Sequence, residues 1–400
     1  KFKDHFIIGT GANAFNENVE LMKHALNNGI DRFLLMPPAY YKYDDKGAYS
    51  FYANIVQKVP DSKIILYNYE KLSGYKFSIQ IIEKLVRDFP KQISEARINT
   101  KDLSINLDKI HRIVIMGMGG SAIAGSIMKD ISPHLEIIVE RNYFPNAIID
   151  EDTLLIISSY SGNTEETLSY YKHASALTRN VFGITSGGKL LEILKSDGFS
   201  FQLLPKGYPP RSILGYTLAV LLKLLDEDEL LDLVNVELLQ EYSNKFSTES
   251  SEVFGIAKKI HSTFPVIITE EDLVSIGYRL KGQLNENSKM MSYNVTIPEM
   301  NHNDIVGWEN KLIDKSSFSL VWIDITWPQN IKRMNITNKI LKHKTSSNFH
   351  IQIPSKFKND LTGLFYLLNY LDWLSYWCGY LNSVDIDAVE SIDMLKKELS

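Results

Sequence analysis

The chain has 400 residues, with 43 lysines and arginines against 48 aspartates and glutamates, for a formal net charge of −5. That length allows roughly two or three domains with ample core, and the acidic balance supplies no basic field for nucleic acid. The single cysteine, Cys378, excludes an internal disulfide framework and a cysteine-based metal site, and fits a reducing, cytoplasmic setting. No charged-then-apolar leader is visible, and the chain begins at Lys1 rather than methionine, which reads as a cut or a fragment boundary.

Residues 1–90 alternate strand and helix. Phe6 to Gly9, Arg32 to Met36 and Lys63 to Tyr67 read as strands; Asn16 to Asn28, Ala48 to Val59 and Ser78 to Asp88 read as helices. Such alternation marks a parallel α/β arrangement, and three strands make only part of a sheet or barrel. Here Ile7-Ile-Gly-Thr-Gly-Ala-Asn13, Pro37-Pro-Ala-Tyr40-Tyr41 and Ile65-Leu-Tyr67-Asn68 resemble the dihydrodipicolinate synthase / N-acetylneuraminate lyase family of (β/α)8 barrels. The resemblance covers about the third to fifth strand–helix units and puts Tyr67 on that family's proton-relay tyrosine. The strands that would carry the carboxylate-binding threonines and the Schiff-base lysine are missing. Imine chemistry needs an amine nucleophile, so this segment is expected to be inactive, with strand edges that something must cover.

The character changes near Phe89-Pro90, and 99–109 reads as a polar loop. Alternation then resumes, with strands expected at 112–116, 136–140, 153–158, 180–184 and 199–204. Helices are expected between them at 121–130, 164–177 and 188–195, followed by a longer one at 212–226. Amphipathic helices over 227–244 and 248–262 lead to a second block. Its strands fall near 265–269, 292–298, 318–324 and 348–353, and its helices near 272–289, 329–343, 358–381 and 386–399. The expectation is an α/β chain with two doubly wound parallel-sheet subdomains, 89–232 and 233–400, preceded by a partial barrel segment over 1–88. The stretch Leu361 to Leu381 is apolar, but Asn369, Asp372 and Ser375 interrupt it, so it reads as a buried core helix and not a membrane span.

Two strand-to-helix turns carry the chemistry. Ile113-Val-Ile-Met-Gly117-Met-Gly119-Gly120-Ser121 ends a strand in glycines, where backbone approaches a ligand closely and helix N–H groups point at it. It lacks the lysine of an ATP-type loop, and its spacing is not that of a dinucleotide turn. Ser159-Tyr-Ser161-Gly-Asn-Thr164-Glu-Glu166 follows another strand with a row of hydroxyls. Asn163 and Glu166 have capping-box spacing, yet capping alone needs neither Ser159 nor Ser161 nor Thr164, and the row suits a reversibly bound phosphate.

Together these turns resemble the sugar isomerase (SIS) domain. Thr185-Ser-Gly-Gly-Lys189, Tyr208-Pro-Pro-Arg211, Asn285-Glu286-Asn287, Pro298-Glu-Met-Asn301-His302 and Ile392-Asp-Met-Leu-Lys396 follow in order. That combination resembles the bifunctional phosphoglucose/phosphomannose isomerase family over residues 86–400. A carboxylate reaching two neighbouring carbons can move a proton between them through an enediol, and Glu286 is the candidate. Arg211 can stabilise the enediolate oxygens. The resemblance implies ring opening by His302, reaching into a neighbouring subunit, with help from Lys396, although Lys397 beside it has equal claim by type. Gly119, Gly120, Ser121, Ser159, Ser161 and Thr164 are the expected substrate-binding residues. The substrates implied are hexose 6-phosphates, handled by a homodimer without cofactor, nucleic acid or membrane. The nine histidines show no metal-ligand spacing. An amino-sugar phosphate isomerase, a sugar-phosphate-sensing regulator and an inactive fusion of two gene fragments are the alternatives.

Overall fold

The computed structural model describes residues 6–36, 51–52, 54–56, 58–60, 62–66, 83, 86–100, 103, 105–312, 314–357, 360–386 and 388–399. The chain forms two compact units, Lys1–Ile81 and Ile82–Ser400. In the first, strands β1 (Ile8–Gly9), β2 (Arg32–Leu35) and β3 (Lys63–Leu66) pair in that order, all parallel, with helix α1 (Phe15–Asn27) between β1 and β2. Helix α1 turns Val19, Met22 and Ala25 inward to a core shared with Phe33 and Leu35. The Pro37–Tyr41 and Tyr67-Asn68 stretches lie outside the described residues, as does most of the helix expected over 78–88.

Helix α2 (Phe89–Asn99) leads the second unit toward its first sheet. Pro90 looks like a breaker, but it sits in the first turn, where its missing N–H costs nothing, and Phe89, Ile93 and Ala96 are buried. A five-stranded parallel sheet follows, built from β4 (Arg112–Met116), β5 (Ile137–Glu140), β6 (Thr153–Ser159), β7 (Val181–Thr185) and β8 (Ser200–Leu203). Its order is β5-β4-β6-β7-β8. β6 is buried along its whole length, as a continuous apolar strand of a two-sided parallel sheet should be. The chain leaves β4 first to one side and then to the other, so the crevice of the sheet opens at the carboxyl ends of β4 and β6. Helices α3 (Gly119–Ile131), α4 (Glu165–Ala174), α5 (Gly188–Asp197) and α6 (Leu214–Leu224) complete this layer.

The amphipathic stretch after residue 227 is broken in two, α7 (Asp228–Asp232) and α8 (Val236–Phe246), because Asn235 caps the second by accepting from Leu238 N. Helix α9 (Glu252–Ile260) leads to a second parallel sheet of β9 (Phe264–Glu270), β10 (Tyr293–Ile297), β11 (Phe318–Ile323) and β12 (Ser347–Ile351). The order is β10-β9-β11-β12, again with a switch of direction, here between β9 and β11. Helices α10 (Val274–Ser288), α11 (Pro328–Leu341), α12 (Leu361–Leu381) and α13 (Glu390–Leu399) belong to this part. All but one of the secondary elements expected after residue 110 match within a few residues; the exception is the split just described.

Helix α12 is the buried axis of the unit. Trp373 Nε1 donates to Ser243 Oγ at 3.0 Å and Trp377 Nε1 to the Phe246 carbonyl at 2.9 Å, so the indole dipoles are satisfied where the rings are buried. Asn369 Nδ2 donates to the Val86 carbonyl at 2.9 Å. Among the described residues, no helix is long and apolar enough to cross a membrane. Asp360 caps α12, accepting from Thr362 N at 2.9 Å. Replacing this cap, Asp360→Ala, is expected to cost about 1 kcal/mol, read as a lower urea midpoint with an unchanged slope.

Candidate functional site

The site grows from the crevice of the first sheet. After β4 the chain turns through Gly117, where an added Cβ would stand 3.0 Å from the Ser158 carbonyl oxygen, so the bare backbone lets β4's exit lie against β6. Gly119 has φ +49, and a Cβ on Gly120 would meet the Pro210 carbonyl oxygen at 2.8 Å. The glycine turn is therefore pressed onto the short 3-10 turn Pro210–Ser212. Ser121 Oγ accepts from Tyr160 N at 3.3 Å and ties this turn to the next one.

Beyond β6, Ser159 Oγ and Thr164 Oγ1 share a hydrogen bond of 2.9 Å, Gly162 N donates to Ser159 Oγ, and Asn163 N donates to Ser161 Oγ. Gly162 has φ +66, and a side chain there would overlap the Gly187 carbonyl oxygen, 1.8 Å from an ideal Cβ. The capping box open to Asn163 and Glu166 does not form. Asn163 Oδ1 accepts from Lys189 N at the start of α5, and Thr164, at the N-cap of α4, makes no side-chain cap bond. The start of α4 thus presents N–H groups and hydroxyls together, the chemistry of an anion site.

Arg211 rises from the 3-10 turn and is 6% exposed. Its Nε donates to Asn287 Oδ1 and its Nη2 to the Ile386 carbonyl, both at 2.7 Å, and its Nη1 lies 3.6 Å from Glu286 Oε2. Glu286 stands in the last turn of α10 with its side chain one-third exposed. Lys289 ends that helix at φ +55, and its Nζ donates to the carbonyls of Glu286 and Ala388. Of the two flanking asparagines, Asn287 is buried and holds Arg211, whereas Asn285 faces solvent.

Gly119, Gly120, Arg211 and Glu286 line one cavity of about 710 Å³, which runs between α3 and α10 past Arg141 and Asp130. Ser121, Ser159, Ser161, Thr164, His302 and Lys396 are not among the described residues lining it. His302 is exposed on the turn after β10, and Lys396 is exposed on α13. Sequence reasoning missed Arg279 and Arg141, which also line the cavity. A helix arginine such as Arg279 reads as a solvated cation; the signal was Asp372, a carboxylate in an apolar helix that must have a partner. Arg141 donates to Ser126 Oγ at 2.5 Å, and burial holds its guanidinium below its ordinary value. Burial also raises the Asp130 carboxyl, against hydrogen bonds from Ser275 that lower it.

A doubly wound parallel sheet whose switch point carries a glycine turn beside a hydroxyl-lined helix start defines a sugar isomerase-type α/β protein. Residues 250–399 match the bacterial phospho-glucose isomerase C-terminal SIS domain, and residues 3–116 match the dihydrodipicolinate synthetase family. The chain is 35% identical over 333 residues to a bifunctional phosphoglucose/phosphomannose isomerase of Caldicellulosiruptor bescii, covering 79% of this chain and 98% of that one. It is 35% identical over 310 residues to the protein of that name from Aquifex aeolicus, covering 75% and 93%. The chain belongs to the bifunctional phosphoglucose/phosphomannose isomerase family. In fold it is similar to the tagatose-6-phosphate ketose/aldose isomerase of Escherichia coli, with a TM-score of 0.55 at 14% identity over 77% of this chain and 96% of that one.

The raised Asp130 carboxyl makes a pH prediction. A folded-state value above the unfolded one, near 3.8, means the folded protein binds the extra proton, so this group's contribution to stability falls as pH rises above about 4. Asp130→Asn keeps an acceptor for Ser275 N without the charge. Its stability relative to the parent is expected to improve from pH 4 to pH 8, measured as the difference in urea midpoints.

Proposed function

We propose that the chain interconverts glucose 6-phosphate and mannose 6-phosphate with fructose 6-phosphate through an enediol. The observation that carries this reading is the meeting of Glu286, Arg211 and the Gly119-Gly120 turn in the lining of a single cavity. In this reading the phosphate sits on Ser121, Ser159, Ser161 and Thr164 at the uncapped start of α4. The sugar extends along the glycine turn toward α10. Glu286 takes the proton from carbon 2 of the open-chain aldose and returns it to carbon 1, while the oxygen on carbon 1 gains a proton and the hydroxyl on carbon 2 gives one up. Arg211, held by two buried hydrogen bonds, needs no reorganisation to meet the negative charge that develops on the enediolate oxygens. Loss of the carbon 2 proton erases the difference between the glucose and mannose epimers, which is why one site can serve both. The route asks for no cofactor.

Ring opening requires a further acid/base. His302 is exposed and stands apart from the cavity that Glu286 lines, which supports its delivery from a second copy in a homodimer. Lys396, exposed on α13, assists. Cytoplasmic residence and a division into 1–88, 89–232 and 233–400 belong to the same reading, with the first segment a passive appendage to the isomerase.

A coupled assay following fructose 6-phosphate from both aldose phosphates tests the core of this. Turnover should persist in EDTA and fall about 10³-fold in Glu286→Gln; activity abolished by EDTA, or untouched in the variant, would overturn the mechanism. Mixing inactive Glu286→Gln with inactive His302→Ala under subunit exchange should restore about a quarter of parental activity, since one site in each mixed dimer is then intact. No recovery after demonstrated exchange would place His302 in its own subunit's site. Removing residues 1–88 should leave isomerase turnover within about twofold; loss of both activity and folded protein would show the first segment to be integral.

A further inference from the structure

We infer that Arg279 and Asp372 are positioning residues for the isomerase reaction, acting through Arg211. Asp372 lies in the middle of α12 and is 4% exposed, as is Arg279 on α10. Arg279 grips the carboxylate with two bonds, Nε to Oδ1 at 3.2 Å and Nη2 to Oδ2 at 2.8 Å. Gln283 Nε2 adds a third bond to Oδ1 at 3.0 Å. The remaining guanidinium nitrogen, Nη1, donates to the Arg211 carbonyl oxygen at 2.9 Å. That bond fixes the backbone from which the Arg211 side chain departs, on the same turn whose Pro210 carbonyl closes over Gly120.

The other end of Arg211 returns to the same turn of α12. Its Nε donates to Asn287 Oδ1, Asn287 Nδ2 donates to Ser375 Oγ at 3.0 Å, and Ser375 Oγ donates to the Asp372 carbonyl at 2.8 Å. Arg211 is thus held at backbone and side chain by a closed ring of hydrogen bonds anchored on Asp372. An ion pair needed only for core neutrality would be complete with the two Arg279–Asp372 bonds. The bond to the Arg211 carbonyl and the route through Ser375 carry the pair's rigidity to the group facing Glu286.

This inference rests on the proposed isomerase reading. The test is Arg279→Lys beside Ser375→Ala, with kcat and KM for fructose 6-phosphate formation measured on folded, monodisperse protein. A lysine keeps the charge opposite Asp372, but its single head cannot also hold the Arg211 carbonyl. kcat is expected to fall about tenfold or more in Arg279→Lys and several-fold in Ser375→Ala. KM should stay within about threefold, because the hydroxyl turn that grips phosphate is untouched. Lower thermal stability with an unchanged kcat in both variants would overturn the inference and leave the pair purely structural. Should the lysine variant fail to fold, an unchanged kcat in Ser375→Ala alone overturns it. An inactive parent chain would overturn the function and this role together, whereas an active parent with unaffected variants overturns only the positioning role.

Discussion

A carboxylate in the middle of an apolar helix has to be neutralised where it stands. Asp372 satisfies that demand by drawing Arg279 and Gln283 from α10 onto α12. Removing one partner of such a buried pair typically costs about 3–5 kcal/mol, because the survivor is left charged in a dry core. The position of α10 against α12 is therefore set by charge as well as by packing. Everything at the end of α10 inherits that setting: Asn287 reaches Arg211 and Ser375, and Glu286 faces the cavity. The site is stiff because its geometry is a by-product of a bond the core needs anyway.

The two parallel sheets answer the same topological problem differently. Each reverses direction once, and each reversal places a helix start near the carboxyl end of a central strand. In the first sheet the start of α4 is left without a side-chain cap and is ringed by hydroxyls. In the second, Glu270 at the end of β9 accepts from Thr326 N, Thr326 Oγ1, Trp327 N and Asn330 Nδ2, so the chain's own carboxylate stands where α11 begins, although α11 too has no side-chain cap at Trp327. The start of α11 thus has a carboxylate of the chain itself beside it, whereas the start of α4 has hydroxyls.

Much of this was legible in the chain itself. The parallel strands after residue 110 were readable because β-branched apolar runs alternate with small-residue and amphipathic stretches, and the glycine turn was readable because its backbone contacts tolerate no Cβ. The grouping of Arg211 with Glu286 came from motif order, since their 75-residue separation carries no local signal. Helix α2 begins at the change of character near Phe89-Pro90, since Pro90 is a breaker in most contexts and harmless in a first turn. The partner of Asn163 was not legible, because capping-box spacing is local whereas the N–H it satisfies, Lys189 N, lies 26 residues downstream. Asp372 in an apolar helix signals a partner, but that Arg279 is the partner was not legible, because it lies 93 residues away and only the folded core brings them together.

The side chain of Arg211 is held by Asn287 and Ile386, yet its backbone belongs to the layer of the first sheet. No stretch of chain ending before residue 386 can supply both supports. During synthesis the first sheet can pair its strands long before the Arg211 side chain has both partners, since Asn287 lies at the end of α10 and Ile386 beyond α12. The Arg211–Glu286 corner is thus among the last features of this unit to mature. A chain cut before residue 386 would lack the carbonyl that receives Arg211 Nη2, and the guanidinium beside Glu286 would lose one of its two anchors.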